Sequence, residues 1–243
     1  MNKITSLQNP YIKELAKLNS KKNILKDGFF LIEGKNVITE AYQKGRLEKL
    51  LITDLTIFKT FNLEKILVTK GIIAKISANV SNTEAVGICK IIPNSPDFNS
   101  YKKVILLDGI NDPGNFGTII RTAYAFNFDA IFTINDSVFE YNSKVIRATQ
   151  GALFDIPIYH LETLEKLKDY KTFRFVINKK AKELHQIENS QEKVLLVFGN
   201  EANGIDPKTL EILKGEDVFI KINNIDSLNV AISAGIAMER FKN

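Results

Sequence analysis

Over the first hundred residues apolar positions come in short blocks separated by polar ones, a pattern that predicts small strands and helices in turn. The blocks at 29–32, 49–53, 66–69 and 86–92 read as strands, and 36–44 reads as a helix. Pro10 opens a stretch over 10–22 that predicts a further helix, with Leu15 and Leu18 turned inward. Pro93, Asn94, Ser95 and Pro96, with Asn99 and Ser100 behind them, cluster as turn formers and predict a linker. Beyond it the pattern becomes regular. Strands predicted at 104–108, 130–134, 173–178, 194–198 and 218–222 alternate with helical stretches near 115–127, 161–170, 207–214 and 226–241. Uniformly apolar strands alternating with helices imply a parallel sheet covered on both faces. The fold class is therefore α/β, with a small α/β domain over 1–95 and a larger parallel-sheet domain over 102–243. Ligands of such sheets bind outside the carboxyl ends of the strands, so chemistry is expected just after residues 108, 198 and 222.

A chain of 243 residues suits two domains, and 44% hydrophobic with 25% charged residues excludes disorder and fibrous classes. No apolar run approaches the roughly 20 residues that cross a bilayer, and the first ten positions lack the apolar stretch of a signal peptide. The expectation is a cytoplasmic protein without membrane attachment. Cys89 stands alone, so no internal disulfide forms. With only His160 and His185 beside it, neither a zinc cage nor any other metal centre is expected, and a Ser-His-Asp or Cys-His hydrolase lacks a base in a promising context.

Charge is unevenly spread. Residues 1–100 hold 15 Lys and Arg against 9 Asp and Glu, a surplus of +6, whereas residues 101–243 hold 18 against 19. A polyanion is the natural partner of such a surplus. Lys13, Lys17 and Lys21 recur every four residues, so on a helix over 10–22 they share a face, with Lys22 and Lys26 nearby. That face reads equally as a phosphate track and as an ordinary solvated surface.

Three segments carry the candidate chemistry. The first, Asn111 to Ala123, is a Pro- and Gly-containing loop leading into a helix with Arg121 about two turns in. It is neither a P-loop nor a dinucleotide fingerprint; its bland reading makes Asn115 a helix N-cap and Arg121 a surface residue. The second, Gly199-Asn200-Glu201-Ala202-Asn203-Gly204-Ile205, follows the most apolar strand, and Asp206 and Pro207 then open a helix. Its glycines permit close backbone approach to a ligand, and Glu201 adds a carboxylate. The third, Ile220 to Val230, places Asn229 among Leu228, Val230, Ala231 and Ile232, where its amide must find partners either as a cap or within a polar site.

Asn115-Phe116-Gly117-Thr118-Ile119-Ile120-Arg121, Gly199 to Gly204 and Ser227-Leu228-Asn229-Val230, in that order and each after a strand, resemble the three motifs of the SpoU (TrmH) family of RNA 2′-O-ribose methyltransferases. The opening Ile4 to Pro10 with Phe30-Leu31-Ile32-Glu33-Gly34 resembles the substrate-binding domain that precedes the catalytic domain in ribosomal-RNA members. The resemblance implies a trefoil-knotted C-terminal domain, which general topology rules would disfavour. It further implies a homodimer through that domain, S-adenosylmethionine as methyl donor and RNA as partner, most directly 23S ribosomal RNA. By motif position Asn115, Arg121, Glu201, Ser227 and Asn229 carry over as catalytic-site residues. Gly199, Ile220 and Leu228 carry over as cofactor contacts; the RNA-binding candidates, Lys13, Lys17, Lys21, Lys22 and Lys26, come from the charge pattern and not from the motifs. The third motif departs from the family pattern: Lys221 replaces a proline, Asn224 stands near a glycine position, and the loop before Ser227 is one residue shorter.

Methyl transfer to a ribose hydroxyl is an in-line displacement that needs alignment and a dry pocket more than a nucleophilic side chain. The resemblance implies Arg121 as proton acceptor, yet a guanidinium is effectively always protonated. Arg121 is better read as orienting the hydroxyl and a neighbouring phosphate, with Glu201 holding its fork bidentately; the role of general base stays open. The alternatives are a catalytically silent RNA-binding or ribosome-assembly protein on the same fold, and a transfer-RNA 2′-O-methyltransferase.

Overall fold

The computed structural model describes residues 2–78, 83–178, 180–188 and 193–242. The chain runs β1 (Asn2–Ile4), α1 (Pro10–Lys17), α2 (Lys21–Asp27), β2 (Phe29–Glu33), α3 (Lys35–Gln43), β3 (Leu47–Ile52), β4 (Glu64–Val68), α4 (Lys70–Ile76) and β5 (Ala85–Lys90). It continues through β6 (Lys103–Asp108), α5 (Pro113–Ala125), β7 (Ala130–Ile134), α6 (Ser143–Thr149), β8 (Ile158–His160), β9 (Lys171–Phe175), β10 (Lys182–Glu183), β11 (Val194–Gly199), α7 (Pro207–Ile212), β12 (Glu216–Phe219) and α8 (Val230–Phe241). These elements form two units, Met1–Pro93 with Tyr141–Phe154, and Asn94–Glu140 with Asp155–Asn243.

The first unit is a five-stranded mixed sheet in the order β1-β4-β3-β5-β2. Strands β1, β4 and β3 run parallel, and β5 is antiparallel to both β3 and β2. Phe30, Ile32, Leu50, Leu51, Ile52, Ile72 and Ile76 are buried in its core. Helix α6 packs against β2, and the ring of Tyr141 lies 4.4 Å from that of Phe30. The helix expected over 10–22 is broken in two. Asn23 Nδ2 donates to the Lys17 carbonyl (2.9 Å) at the end of α1, and the Ser20 hydroxyl accepts from the Asn23 amide (3.4 Å) to start α2. Asn19 and Ser20 are the cap-forming residues that a pure hydrophobic-spacing argument overrode. Leu15 and Leu18 do point inward, but Lys13 and Lys17 stand on α1 while Lys21, Lys22 and Lys26 stand on α2, so they share no single helix face.

The second unit is a seven-stranded, wholly parallel sheet in the order β10-β12-β9-β11-β6-β7-β8. From β6 the chain proceeds outward to β7 and β8, crosses to β9, returns to β11 beside β6, and leaves past β9 to β12. Strand β6 thus continues to one side and β11 to the other, which makes the gap between their carboxyl ends the switch point of the sheet. No α-helix forms at 161–170. Leu164, Leu167 and Tyr170 are buried from a loop and a single 3₁₀ turn at Glu165–Leu167, because apolar residues three apart suit that tighter turn. Helix α8 begins only at Val230, with Asn229 as its cap, and β12 ends at Phe219, short of the predicted 222.

Candidate active site

Strands β6 and β11 pair in register so that Asp108 stands opposite Gly199. Asp108 closes an otherwise apolar strand and is 2% exposed, so its carboxylate needs internal donors. It finds them in the Asn135 side-chain amide and in the backbone amide of Asp206 (2.9 Å), which ties the ends of β6 and β7 to the far end of the loop after β11. Ser137, buried beside them, accepts from the Gly109 amide (3.1 Å).

The loop after β11 folds back on itself. Asn200 and Gly204 exchange two backbone hydrogen bonds of 2.9 Å, and Asn200 Oδ1 accepts from the amides of Ala202 (2.9 Å) and Asn203 (3.1 Å). Asn200 Nδ2 donates to the Gly109 carbonyl (2.7 Å), fastening the loop to the end of β6. A Cβ at Gly199 would lie 2.1 Å from the Gly204 carbonyl carbon and 2.2 Å from the Ile205 nitrogen. Only glycine permits this approach of backbone to backbone.

The three segments singled out from the sequence meet through one chain of side chains. Asp112 caps α5 by accepting from the Asn115 amide (2.7 Å), so Asn115 sits in the first turn of α5 rather than at its cap. Asn229 accepts from the amides of Ala231 (2.9 Å) and Ile232 (3.3 Å), capping α8, and donates its Nδ2 to Asn115 Oδ1 (2.8 Å). Asn115 Nδ2 in turn donates to Glu201 Oε1 (2.9 Å). Both roles left open for Asn229, cap and polar-site member, are filled by the two ends of its one amide.

Arg121 is exposed, and its guanidinium has no partner among the described residues. The bidentate pair expected between Arg121 and Glu201 is not formed. Six helical residues carry Arg121 about 9 Å along the axis from Asn115, and it is Asn115 that reaches the carboxylate. Ile220 and Leu228 are half-buried, and Ser227 is exposed. Asp108, Asn135, Ser137 and the side chain of Asn200 were missed as site-building residues. A charged residue ending a strand of unbroken apolar residues was the available signal for Asp108.

Two amides and a carboxylate from three segments, beside a loop with no room for a side chain at Gly199, make a site that positions a ligand rather than attacks it. The SpoU rRNA Methylase family profile matches residues 102–239, and the MRM3-like substrate binding domain profile matches residues 9–86. The chain is 28% identical, over 97% of its own length and 97% of the relative's, to the 23S rRNA (guanosine(2553)-2′-O)-methyltransferase RlmP of Bacillus subtilis. It is 32% identical, over 63% of its length and 60% of the relative's, to the 23S rRNA (adenosine(1067)-2′-O)-methyltransferase of Streptomyces laurentii. Its structure superposes on the AdoMet-bound rRNA methyltransferase of Sinorhizobium meliloti with a TM-score of 0.85 at 26% identity, covering 98% of this chain and 96% of that one.

Proposed function

The chain belongs to the SpoU rRNA methylase family, and from that premise we propose that it transfers a methyl group from S-adenosylmethionine to a ribose 2′-hydroxyl of 23S ribosomal RNA. The observation that carries the reading is the Asn229–Asn115–Glu201 chain, which joins all three motif segments at the switch point of the parallel sheet. The cofactor fits this place: Gly199 lets its loop fold tightly back on itself, so that backbone groups form the site's wall, and Ile220 and Leu228 offer half-buried apolar contacts. S-adenosylmethionine supplies an activated methyl group whose transfer requires no metal. Gly199, Ile220 and Leu228 would hold it, largely through backbone groups of the loops at 199–204 and 220–228. Asn115, Glu201, Ser227 and Asn229 orient the acceptor, and the unpaired fork of Arg121 binds the ribose hydroxyl and a neighbouring phosphate.

The reading assigns substrate binding to residues 1–95, with Lys13, Lys17, Lys21, Lys22 and Lys26 on phosphates, and catalysis to residues 102–243, whose topology is proposed as a trefoil knot. Residues Tyr124 (45% exposed), Ile232 (53%) and Ile236 (41%) on α5 and α8 support a homodimer through the second unit. Among the described residues no helix is long and apolar enough to cross a membrane, which is compatible with work in the cytoplasm on ribosomal RNA. Calorimetry with S-adenosylmethionine in excess chelator, joined to mass spectrometry of ribose methylation in RNA from cells with and without the protein, tests the proposal. Binding heat and one lost ribose methyl are expected; no heat from folded protein removes the enzyme reading.

A further inference from the structure

The first unit contains an open cavity of about 240 Å³ whose wall includes Arg46, Glu48 and Lys90, with Ile92 and Pro93 beside them. Three features show that the chain is shaped to present these groups. Helix α3 ends with Gly45 at φ +64°, where Gly45 donates to the Tyr42 carbonyl (3.1 Å) and Arg46 to the Ala41 carbonyl (2.8 Å). That paired closure is a Schellman motif, and it fixes the backbone of Arg46 before β3 begins. Next, Leu47 pairs with Cys89 and Lys49 with Ile88, so Glu48 is the extra residue of a bulge. A bulge re-aims a side chain that regular pairing would direct elsewhere. Third, Arg46 Nε is buried and has no hydrogen-bond partner. The side chain as a whole is only half-buried and lines the cavity, so its guanidinium is held at the wall with no described group taking up its donors.

The charges at the cavity are not matched within the unit. Neither the Arg46 guanidinium nor the Lys90 ammonium has an ion-pair partner among the described residues, and Glu48 forms no ion pair with either. Two cations facing one carboxylate leave a positive balance in a concave wall, where a low-dielectric lining strengthens attraction for an anion. The Ile91 amide donates to the Gly28 carbonyl (2.8 Å), and Phe29 pairs with Lys90 across β2 and β5. Gly28, the C-cap of α2, therefore neighbours Ile91 of the cavity wall. Two cations of the basic surplus of residues 1–100 thus stand in a concave wall.

We infer that the Arg46–Lys90 cavity is a phosphate-binding subsite for the RNA backbone, with the guanidinium of Arg46 donating to one phosphodiester and the ammonium of Lys90 to the next. This rests on the reading of the protein as an RNA methyltransferase and deepens it by naming where the substrate-binding unit grips. Arginine suits the position because its planar fork gives two directed donors to one phosphate, which an ammonium does not. Glu48 works against the anion and limits the grip.

The test measures binding of an in vitro transcript of 23S ribosomal RNA across a salt series, with S-adenosylmethionine affinity measured alongside. Each phosphate that the protein no longer neutralises lowers the log–log salt slope by about 0.7–0.9. Arg46→Ala with Lys90→Ala should therefore reduce the slope by about 1.4–1.8 and leave cofactor affinity unchanged. Lys90 is exposed, so Lys90→Ala alone keeps its fold whatever Arg46→Ala does, and it should lower the slope by about 0.7–0.9. Glu48→Gln should tighten binding by up to about five-fold, the worth of one near charge in water. An unchanged slope in Lys90→Ala, or weaker binding by Glu48→Gln, overturns the phosphate assignment while RNA binding by the unaltered protein stands. If the unaltered protein fails to bind the transcript at all, the RNA reading itself falls, and this subsite with it.

Discussion

A guanidinium carries five N–H donors, and that of Arg121 gives none of them to any described residue. Asn115, two turns away on the same helix, has both ends of its amide engaged, one by Glu201 and one by Asn229. The two residues are therefore separable by mutation. Arg121→Ala should lower kcat by about 100-fold or more, the cost of losing substrate alignment, while cofactor affinity holds. Arg121→Lys should fail as well, because a point charge cannot reproduce a planar fork. Near-normal turnover in both would return Arg121 to the status of a surface residue. Asn115→Ala acts differently, since it releases Glu201 and Asn229 together. The double variant Asn115→Ala with Glu201→Ala should then be scarcely slower than Asn115→Ala alone, a non-additivity that steady-state kinetics on the four proteins would read out. The types and order of the motif residues were legible in the sequence, but their pairing was not. Glu201 was assigned on paper to the arginine, but the rise of α5 carries Arg121 past it and leaves the carboxylate to the amide of Asn115.

At the scale of elements, pattern reading succeeded where an element's partner is itself regular and failed where packing supplies the reason. The strands at 104–108, 130–134 and 194–198 were plain because they are buried on both faces. Strand β1 has three residues and, among the described residues, pairs only with β4, some sixty residues away, so nothing local announces it. Helix α6 escaped notice because it packs on β2 of the first unit although its flanks belong to the second. The break between α1 and α2 leaves the lysine question to experiment. Lys17 is engaged by Glu14 at 2.7 Å, whereas Lys13, Lys22 and Lys26 are exposed. Replacing those three with Ala should reduce the RNA salt slope by about 0.7–0.9 for each phosphate left without its lysine, and an intact slope would show a merely solvated face. The linker region has its own pH signature. Tyr170, 4% exposed, donates its hydroxyl toward the carbonyls of Phe98 and Tyr101, both at 3.2 Å, and burial pushes its pKa up to about 12. An unfolded phenol titrates near 10, so above that pH the unfolded chain loses the proton first. Stability conferred by the neutral phenol is complete below pH 10 and is lost between about 10 and 12. Tyr170→Phe should cost about 1 kcal/mol at neutral pH and flatten the alkaline fall in urea titrations, leaving a remainder from Tyr159, whose pKa burial also raises.

At the scale of the whole molecule, the second unit exposes apolar residues where its helices have no reason to be apolar alone. On α8, Ile232 (53% exposed) and Ile236 (41%) stand one turn apart, and Tyr124 (45%) stands on the exposed side of α5. A Cβ at Gly235 would lie 3.8 Å from the Thr122 methyl group, so these stretches of the two helices run against each other, with Ile232 and Ile236 on the exposed side of α8. Single exposed apolar residues are ordinary; a group of large ones on packed helices points to a surface that is covered in use. Full burial of each isoleucine contributes roughly 1.5–3 kcal/mol, so the four isoleucines of a two-fold interface supply a sizeable share of the stabilisation a homodimer needs. Helix α8 is capped by Asn229, and its first turn is therefore continuous with the Asn115–Glu201 chain. Dimerisation through this surface would hold the cap and the site still together. Ile232→Glu with Ile236→Glu, both at exposed positions that leave the core untouched, should convert a dimer to a monomer in sedimentation equilibrium and weaken S-adenosylmethionine binding in parallel. Should the unaltered protein sediment as a monomer at tens of micromolar, or the double variant remain a dimer, the α5–α8 surface is not the interface, and the exposed isoleucines need another partner.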